Sequence, residues 1–151
     1  MKLIAHRGNI NGPSKRENQP DYILDTIKLG YDCEIDVRYI NEKLFLGHDE
    51  PEFIIELNFL LENSDYLWIH CKNILALDFL LSYDTLNIFW HQDDSYTLTS
   101  KGFIWSYPKT ETTKKCIILM PELYNFSFSK EPYGICSDYL LKCNFIINDK
   151  V

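Results

Sequence analysis

The sequence predicts an α/β fold, a shortened or irregular TIM-type (β/α) barrel with helices missing in its C-terminal half. Before about Asp84, short apolar runs alternate with stretches of helical periodicity, the pattern of parallel strands joined by crossover helices. After that residue, strand-like runs dominate. The chain has 151 residues, whereas a full barrel usually needs roughly 250, so several helices must be absent. An open α/β sheet is the alternative fold.

Hydrophobic spacing and helix-end residues predict the elements of the first half. One helix is predicted over residues 20–29 and a second over residues 51–63, where Pro51 suits the first turn. A third helix covers residues 73–83, with Asn73 as its N-cap. The predicted strands are residues 3–6, 33–39, 43–47, 66–71 and 87–91.

The second half is predicted to consist mostly of strands, with one helical turn over residues 138–142. These strands are residues 96–99, 102–107, 116–120, 134–136 and 145–147. The sequence contains no linker, internal repeat or low-complexity tract, so residues 1–151 are expected to form a single domain.

Charge and composition argue against two classes of protein. The net charge is −7 and the sequence contains no basic cluster, so nucleic acid is not an expected partner. No run approaches the ~20 apolar residues of a membrane-spanning helix. An acidic enzyme can still act on a phosphate if a metal ion or a few basic side chains supply local positive charge.

Cysteine usage and the N-terminal residues predict a cytoplasmic protein. The five cysteines include no CxxC pair, which favours buried thiols in a reducing compartment. The apolar run over residues 1–5 is too short for a signal peptide, and removal of a leader would remove His6. Strands that lack covering helices also suggest a homodimer that buries their backs.

Polar residues cluster where the predicted strands end, at the edge that holds the active site in parallel α/β folds. All four histidines of the chain lie at or beside such an end: His6, His48, His70 and His91. One histidine alone is more often structural than catalytic. Four at one edge predict proton transfer near neutral pH.

Glu34 and Asp36 point to a metal ion. Residues two apart on a strand project from the same face, so both carboxylates point the same way. Two neighbouring carboxylates repel each other unless a cation lies between them, and a hard divalent ion such as Mg²⁺ or Ca²⁺ meets that need. The alternative interpretation is an edge strand with two solvated acids.

Four short motifs follow one another between residues 1 and 50. They are His6-Arg7-Gly8, Glu17-Asn18, Glu34-Ile35-Asp36 and His48-Asp49. In this order they resemble the glycerophosphodiester phosphodiesterases, a barrel family within the PLC-like phosphodiesterases, of which this chain would be a short divergent member. The resemblance extends to Lys72, and residues 134–139 are similar to the last-strand motif of that family.

The resemblance implies a role for each matching residue. His6 and His48 would be the acid–base pair, and Glu34 and Asp36 would bind the divalent metal, with Mg²⁺ or Ca²⁺ expected first. Arg7 and Lys72 would hold the phosphate, while Glu17 and Asn18 would line or support the site. The residues expected at the substrate are therefore Arg7, Glu17, Asn18 and Lys72.

His70 departs from the family pattern, which has a third metal-binding Glu two residues before the Lys. An imidazole removes one negative charge and favours softer metals, which puts Ca²⁺ in doubt and admits Mn²⁺ or Zn²⁺. His70 could instead contact substrate, with Asp93 or Asp94 completing the metal site. A third alternative is weakened metal binding with loss of activity.

Motifs in the late part of the chain indicate which class of substrate to expect. Residues 99–102, Trp105 and residues 107–108 are similar to small proteins associated with bacterial surface-polysaccharide biosynthesis, which favours a polyol- or sugar-linked phosphate over a lipid. Trp105 is predicted either to stack on a sugar or to be a core aromatic. Glu122 is either a pocket residue or part of a capped turn.

The sequence therefore predicts a metal-dependent phosphodiesterase that cleaves a glycerol-, polyol- or sugar-linked phosphodiester by acid–base catalysis with two histidines. The attacking group could be water or a neighbouring hydroxyl of the substrate. The alternative is a catalytically degenerate barrel that binds a phosphorylated sugar or polyol without turnover. A purely structural protein would leave the polar cluster unexplained.

Overall fold

A computed structural model describes residues 1–124, 128 and 130–143, which contain ten strands, three α-helices and a helical turn over residues 140–143, close to the turn predicted over residues 138–142. The strands are β1 (Lys2–His6), β2 (Asp32–Ile40), β3 (Lys43–Leu46), β4 (Phe53–Ile55), β5 (Leu67–Cys71), β6 (Ile88–Phe89), β7 (Tyr96–Leu98), β8 (Ile104–Ser106), β9 (Cys116–Leu119) and β10 (Gly134–Ser137). The helices are α1 (Pro20–Lys28), α2 (Leu57–Glu62) and α3 (Ile74–Leu80). The strand predicted over residues 145–147 lies outside the described residues.

Seven of the strands run parallel in one curled sheet, in the order β6-β5-β2-β1-β10-β9-β8. Strand β7 adds antiparallel to β8, and the β3–β4 hairpin adds antiparallel to the end of β2. Within the described ranges, no ladder joins β6 to β8. The structure thus confirms a mixed α/β fold with a half-barrel sheet and few helices after α3.

The inside of the curl is filled by a layer of apolar side chains. Trp68, Phe89 and Trp105 pack there, with the Phe89 and Trp105 ring centroids 4.6 Å apart. The other members of this layer are Ile4, Ile117 and Cys136, so six parallel strands each contribute one residue. Because strand residues alternate between faces, the residues two positions later form the next layer towards the C-terminal edge.

Trp105 belongs to this apolar layer. Its side chain is 3% exposed and packs between Phe89 and Trp68. A ring enclosed on this scale has no free face for a sugar. The structure therefore favours the core interpretation of Trp105 over the sugar-stacking one.

The outer face of the first half of the sheet carries the helices. Helices α1 and α3 bury Ile23, Ala76 and Leu80 against the outward residues Ile35 and Val37 of β2. Asn73 caps α3 as predicted, since its Oδ1 accepts a hydrogen bond from the Ala76 amide at 3.0 Å. All five cysteines are buried and free, as expected for structural thiols.

The helix predicted over residues 51–63 is wrong in its first half. Phe53–Ile55 forms β4 and pairs with β3, and α2 begins only at Leu57. The run Phe53-Ile54-Ile55 has strong strand propensity, and the free edge of β3 provides a partner for it. Tertiary pairing therefore overrides the helical spacing.

Over the described residues, none of the helices combines the length and apolar character that crossing a membrane requires.

Candidate functional site

Glu34, Asp36 and His70 form a compact cluster where β2 and β5 pair in parallel, close to the C-terminal end of that ladder. The register of these strands sets Asp36 beside His70. His70 Nδ1 lies 3.1 Å from Asp36 Oδ1 and 3.8 Å from Glu34 Oε1. The three candidate ligand atoms all lie within 4.8 Å of one another, and both carboxylates are buried. The predicted common face of Glu34 and Asp36 is confirmed.

The two carboxylates differ in their surroundings. Burial and the nearby Asp36 charge raise the pKa of Glu34, and its Oε2 atom has no hydrogen-bond partner among the described residues. Burial also acts on Asp36, but contacts with His48 and His70 outweigh it and hold the pKa of Asp36 well below its usual range. Glu34 is thus the less compensated of the two carboxylates, since the charges of His6, His70 and Arg7 offset its burial only in part.

This cluster fits a divalent metal ion. Two carboxylates and one imidazole are ligands that Mn²⁺, Mg²⁺ and Zn²⁺ accept, and the unpartnered Glu34 Oε2 needs a cation or a donor. The remaining nitrogen of His70, Nε2, lies 3.3 Å from the His91 carbonyl oxygen. Metal-binding histidines usually donate their second N–H to such an acceptor, which fixes the ring.

Asp93 and Asp94 do not complete this cluster. Both are exposed and lie in the segment that follows β6. The metal-ligand cluster found among the described residues contains Glu34, Asp36 and His70 only. Of the three alternatives for His70, this arrangement favours the one in which His70 itself is a ligand of the metal ion.

His6 ends β1 and adjoins Glu34 from the other side. Its Nε2 lies 3.9 Å from Glu34 Oε2, and its Nδ1 lies 2.9 Å from Asp138 Oδ1. Because a carboxylate can only accept, Nδ1 carries a proton and donates it to Asp138. Burial opposes the charged imidazole, but the Asp138 hydrogen bond and the Glu34 charge raise the pKa of His6.

Asp138 is a site residue for which the sequence reasoning assigned no role. It follows β10, which pairs with β1 in parallel, so the two strand ends meet. It also accepts a hydrogen bond from Asn9 Nδ2 at 2.7 Å. The available signal was its position after a late strand whose motif was recognised, but the pairing of that strand with β1 was not predicted.

His48 lies in the loop after β3 and meets Asp36 and two basic side chains. Arg7 Nη2 donates to His48 Nδ1 at 2.7 Å, and Lys72 Nζ lies 3.5 Å from the same atom. Asp36 Oδ2 is 3.2 Å away from it. Nδ1 of His48 therefore lies among two donors, Arg7 and Lys72, and one acceptor, the Asp36 carboxylate.

Arg38 holds the loop that carries His48. Its guanidinium donates to three successive carbonyl oxygens, of Gly47, His48 at 2.8 Å and Asp49 at 2.9 Å. Gly47 has φ +145° and a Cβ there would lie 2.1 Å from the Glu50 carbonyl oxygen, so this tight turn requires glycine. Arg38 and Gly47 were not singled out from the sequence.

Arg7 and its supports occupy the turn after β1. Arg7 has φ +55°, a left-handed conformation, and its Nε lies 3.1 Å from Asp36 Oδ2. Glu17 Oε2 accepts from Arg7 Nη1 at 3.2 Å. Asn18 is buried and makes two hydrogen bonds with Asp36. Its Nδ2 donates to Asp36 Oδ2 and its Oδ1 accepts from the Asp36 backbone N–H, each at 3.0 Å.

The predicted role of Glu17 and Asn18 is to line or to support the site, and these contacts are supporting ones. The Asn18 side chain is buried and bonded to Asp36, and its predicted contact with substrate stays a prediction. Glu17 orients Arg7.

Glu122, the other residue with two interpretations, accepts a hydrogen bond from Ser137 at 2.7 Å beside the short 3₁₀ turn Pro121–Leu123.

A cleft of about 360 Å³ opens beside these groups, and we call it the histidine cleft. Its lining includes His48, His70, Lys72, His91 and Tyr107. Burial and the nearby His70 lower the pKa of His91. A cleft of about 480 Å³ at the opposite edge of the sheet, around Met1, Lys2 and Tyr133, has no histidine in its lining.

Comparison with protein-family models, curated proteins and solved structures finds no match to this chain. The resemblance to the glycerophosphodiester phosphodiesterases thus rests on the motifs and stays a prediction. The geometry of the site carries the functional argument.

Proposed function

We propose that this protein is a metal-dependent phosphodiesterase of the glycerophosphodiester phosphodiesterase type, on a reduced TIM-type barrel. One observation carries the proposal: His6 and His48 adjoin the same buried carboxylate pair from different sides. His6 Nε2 approaches Glu34 at 3.9 Å and His48 Nδ1 approaches Asp36 at 3.2 Å. A general acid and a general base must both reach one reacting group, and two histidines placed around one carboxylate pair are positioned to do so.

The basic side chains supply what a phosphodiester demands. Its anionic oxygens repel nucleophiles, and Arg7 and Lys72 lie beside Asp36 where they can neutralise that charge. A divalent ion held by Glu34, Asp36 and His70 would add Lewis-acid stabilisation of the transition state. One histidine takes a proton from the attacking water or hydroxyl, and the other protonates the leaving alkoxide.

The substrate class in this proposal is a small glycerol-, polyol- or sugar-linked phosphodiester. The histidine cleft measures about 360 Å³ and has three histidines and a lysine in its lining, which suits a headgroup-sized ligand better than an acyl chain. A cytoplasmic location and a role in surface-polysaccharide biosynthesis belong to the same proposal and rest on the sequence.

The test is a hydrolysis assay on protein treated with EDTA. Bis(4-nitrophenyl) phosphate and glycerophosphodiesters are offered with Mg²⁺, Mn²⁺, Ca²⁺ or Zn²⁺ added singly. We expect one or more metals to restore turnover, and His6→Ala, His48→Ala and the Glu34→Gln/Asp36→Asn double variant to abolish it. Turnover that persists in both histidine variants, or that ignores chelators, would contradict the proposal.

A second candidate function is phosphate binding without turnover. The observation in its favour is that Asp36 already has four basic neighbours, Arg7, His48, His70 and Lys72, so it is compensated without a metal. A folded protein that binds a polyol phosphate but turns over no diester with any metal would support this function. His70→Glu, which restores the carboxylate of the family pattern, should then recover metal binding.

A further inference from the structure

Three residues, His91, Gln92 and Tyr107, line both the histidine cleft and a second depression beside it. This second depression measures about 400 Å³, and we call it the aspartate cleft. Its lining consists of His91, Gln92, Asp93, Asp94, Ser95 and Tyr107. A ligand that extends from the phosphate-binding side chains past His91 and Tyr107 would therefore enter the aspartate cleft.

The His91 imidazole has unsatisfied hydrogen-bonding capacity. Neither ring nitrogen is exposed to solvent, and neither has a hydrogen-bond partner among the described residues. The neighbouring rings are Tyr107, with centroids 4.5 Å apart, and His70, at 6.5 Å. Buried polar groups normally find partners, so two unpaired nitrogens on one ring beside a cleft point to a ligand.

We propose that His91 and Tyr107 form the subsite for the alcohol portion of the substrate, and that this portion is a polyol or sugar with free hydroxyl groups. This inference rests on the proposed phosphodiesterase function. A hydroxyl both donates and accepts, so it satisfies an imidazole whichever protons the ring carries. Tyr107 is 36% exposed and its ring centroid lies 4.5 Å from that of His91. In this proposal an outward turn of the Tyr107 ring would open the imidazole and offer an apolar face to sugar C–H groups.

The charges on the two sides of His91 give the ligand a direction. Lys72 lies on the side of the histidine cleft, which suits the phosphate. Asp93 and Asp94 lie exposed in the aspartate cleft, where they repel a second anionic group and accept hydrogen bonds from hydroxyls. A choline-type headgroup would satisfy the aspartates but has no N–H or O–H for His91, so the unpaired imidazole disfavours it.

The experiment compares three 4-nitrophenyl phosphodiesters that differ only in the second alcohol: glyceryl, propyl and choline. We expect kcat/KM for the glyceryl ester to exceed that for the propyl ester by about tenfold or more. His91→Phe retains a planar ring without the nitrogens and should bring this ratio close to one. Tyr107→Ala is the second variant, and Tyr66→Phe, before β5 at the opposite edge, is the control that keeps the ratio.

The outcomes separate this inference from the proposed function. Equal rates for the glyceryl and propyl esters, a preference for the choline ester, or an unchanged ratio in both variants would overturn the subsite. If no ester is hydrolysed, the phosphodiesterase proposal fails, and calorimetry with glycerol 3-phosphate and propyl phosphate decides the subsite. Tighter binding of glycerol 3-phosphate that His91→Phe abolishes supports it, whereas equal binding of both ligands overturns it.

Discussion

Nδ1 of His6 lies 2.9 Å from Oδ1 of Asp138, although 132 residues separate them in the chain. The contact exists because β1 and β10 are parallel neighbours and each carries its side chain at the same edge. An imidazole whose Nδ1–H is held by a carboxylate has a fixed ring orientation, and its Nε2 then faces Glu34. The pair therefore fixes the orientation of the His6 ring, as the proposed proton transfer would require.

Asp138→Asn is expected to lower kcat by at least about 100-fold, because it removes the carboxylate that orients the His6 ring and stabilises its protonated form. The variant should also lose about 1–3 kcal/mol of unfolding free energy at mildly acidic pH. The contact raises the pKa of His6 and, despite burial, lowers the pKa of Asp138. Kinetics and urea unfolding across pH measure the two effects.

The sign of this pH dependence follows from both shifts. The His6 contribution to stability is complete below the unfolded pKa of about 6.5 and is lost as pH rises through the folded value. The Asp138 contribution is present above about 3.9 and is lost as pH falls through its folded value. The stability gap between the wild type and Asp138→Asn should therefore be widest between about pH 4 and 6.5. A gap that is constant with pH would contradict the ion pair.

Arg38→Gln is expected to reduce kcat by roughly tenfold or more while the protein stays folded, because the His48 loop loses three charge-assisted hydrogen bonds. Arg38→Lys should recover part of the loss, since it keeps the charge but not the fork. Arg16→Gln is the matched control, as the Arg16 guanidinium makes an exposed 3.4 Å pair with Asp25 and lies 4.7 Å from the Tyr22 ring centroid, both outside the His48 loop. Equal loss in both glutamine variants would argue against positioning by Arg38.

Gly47→Ala should destabilise the protein more than Gly30→Ala. Both glycines have positive φ, so each substitution introduces backbone strain of about 1 kcal/mol. Only at Gly47 does the new Cβ meet backbone, the Glu50 carbonyl, whereas a Cβ at Gly30 has nothing within 4 Å. Urea unfolding of the two variants gives the comparison. Because Gly47 precedes His48, the difference should also appear in kcat.

Glu34 and Asp36 should affect the stability of the metal-free protein in opposite directions. Burial and the Asp36 charge raise the pKa of Glu34, so its ionised form opposes folding and Glu34→Gln should raise Tm at pH 7. Asp36 has a lowered pKa because histidine and arginine contacts outweigh its burial, so Asp36→Asn should lower Tm. Thermal unfolding after EDTA dialysis measures both.

A metal ion should reverse the result for Glu34. With Mn²⁺ present, the wild type gains the free energy of metal binding and Glu34→Gln does not, so the wild type becomes the more stable protein. Asp93→Asn is the control for a carboxylate outside the cluster. If Mn²⁺ stabilises the wild type and Glu34→Gln equally, the ion binds elsewhere.

Hydrophobic periodicity determined most of the strands and two of the three helices. The spacing of Glu34 and Asp36 placed both carboxylates on one face, and the structure confirms this because side-chain alternation is a local property of the strand. Asn73 was identified as a cap for the same reason, since capping depends on a few neighbouring residues. The position of His6 and His70 at one edge followed from parallel strand order. His48 reaches the same edge through the antiparallel β2–β3 hairpin.

The tertiary structure alone decided which distant residues meet. Pairing of β10 with β1 brought Asp138 to His6, and the curl of the sheet enclosed Trp105 against Phe89. The free edge of β3 drew Phe53–Ile55 out of the predicted helix. Arg38 reached three carbonyls of the His48 loop because the β2–β3 hairpin folds back on itself. Such contacts depend on the order of the strands and on the curl of the sheet, and the hydrophobic pattern along the chain predicts neither.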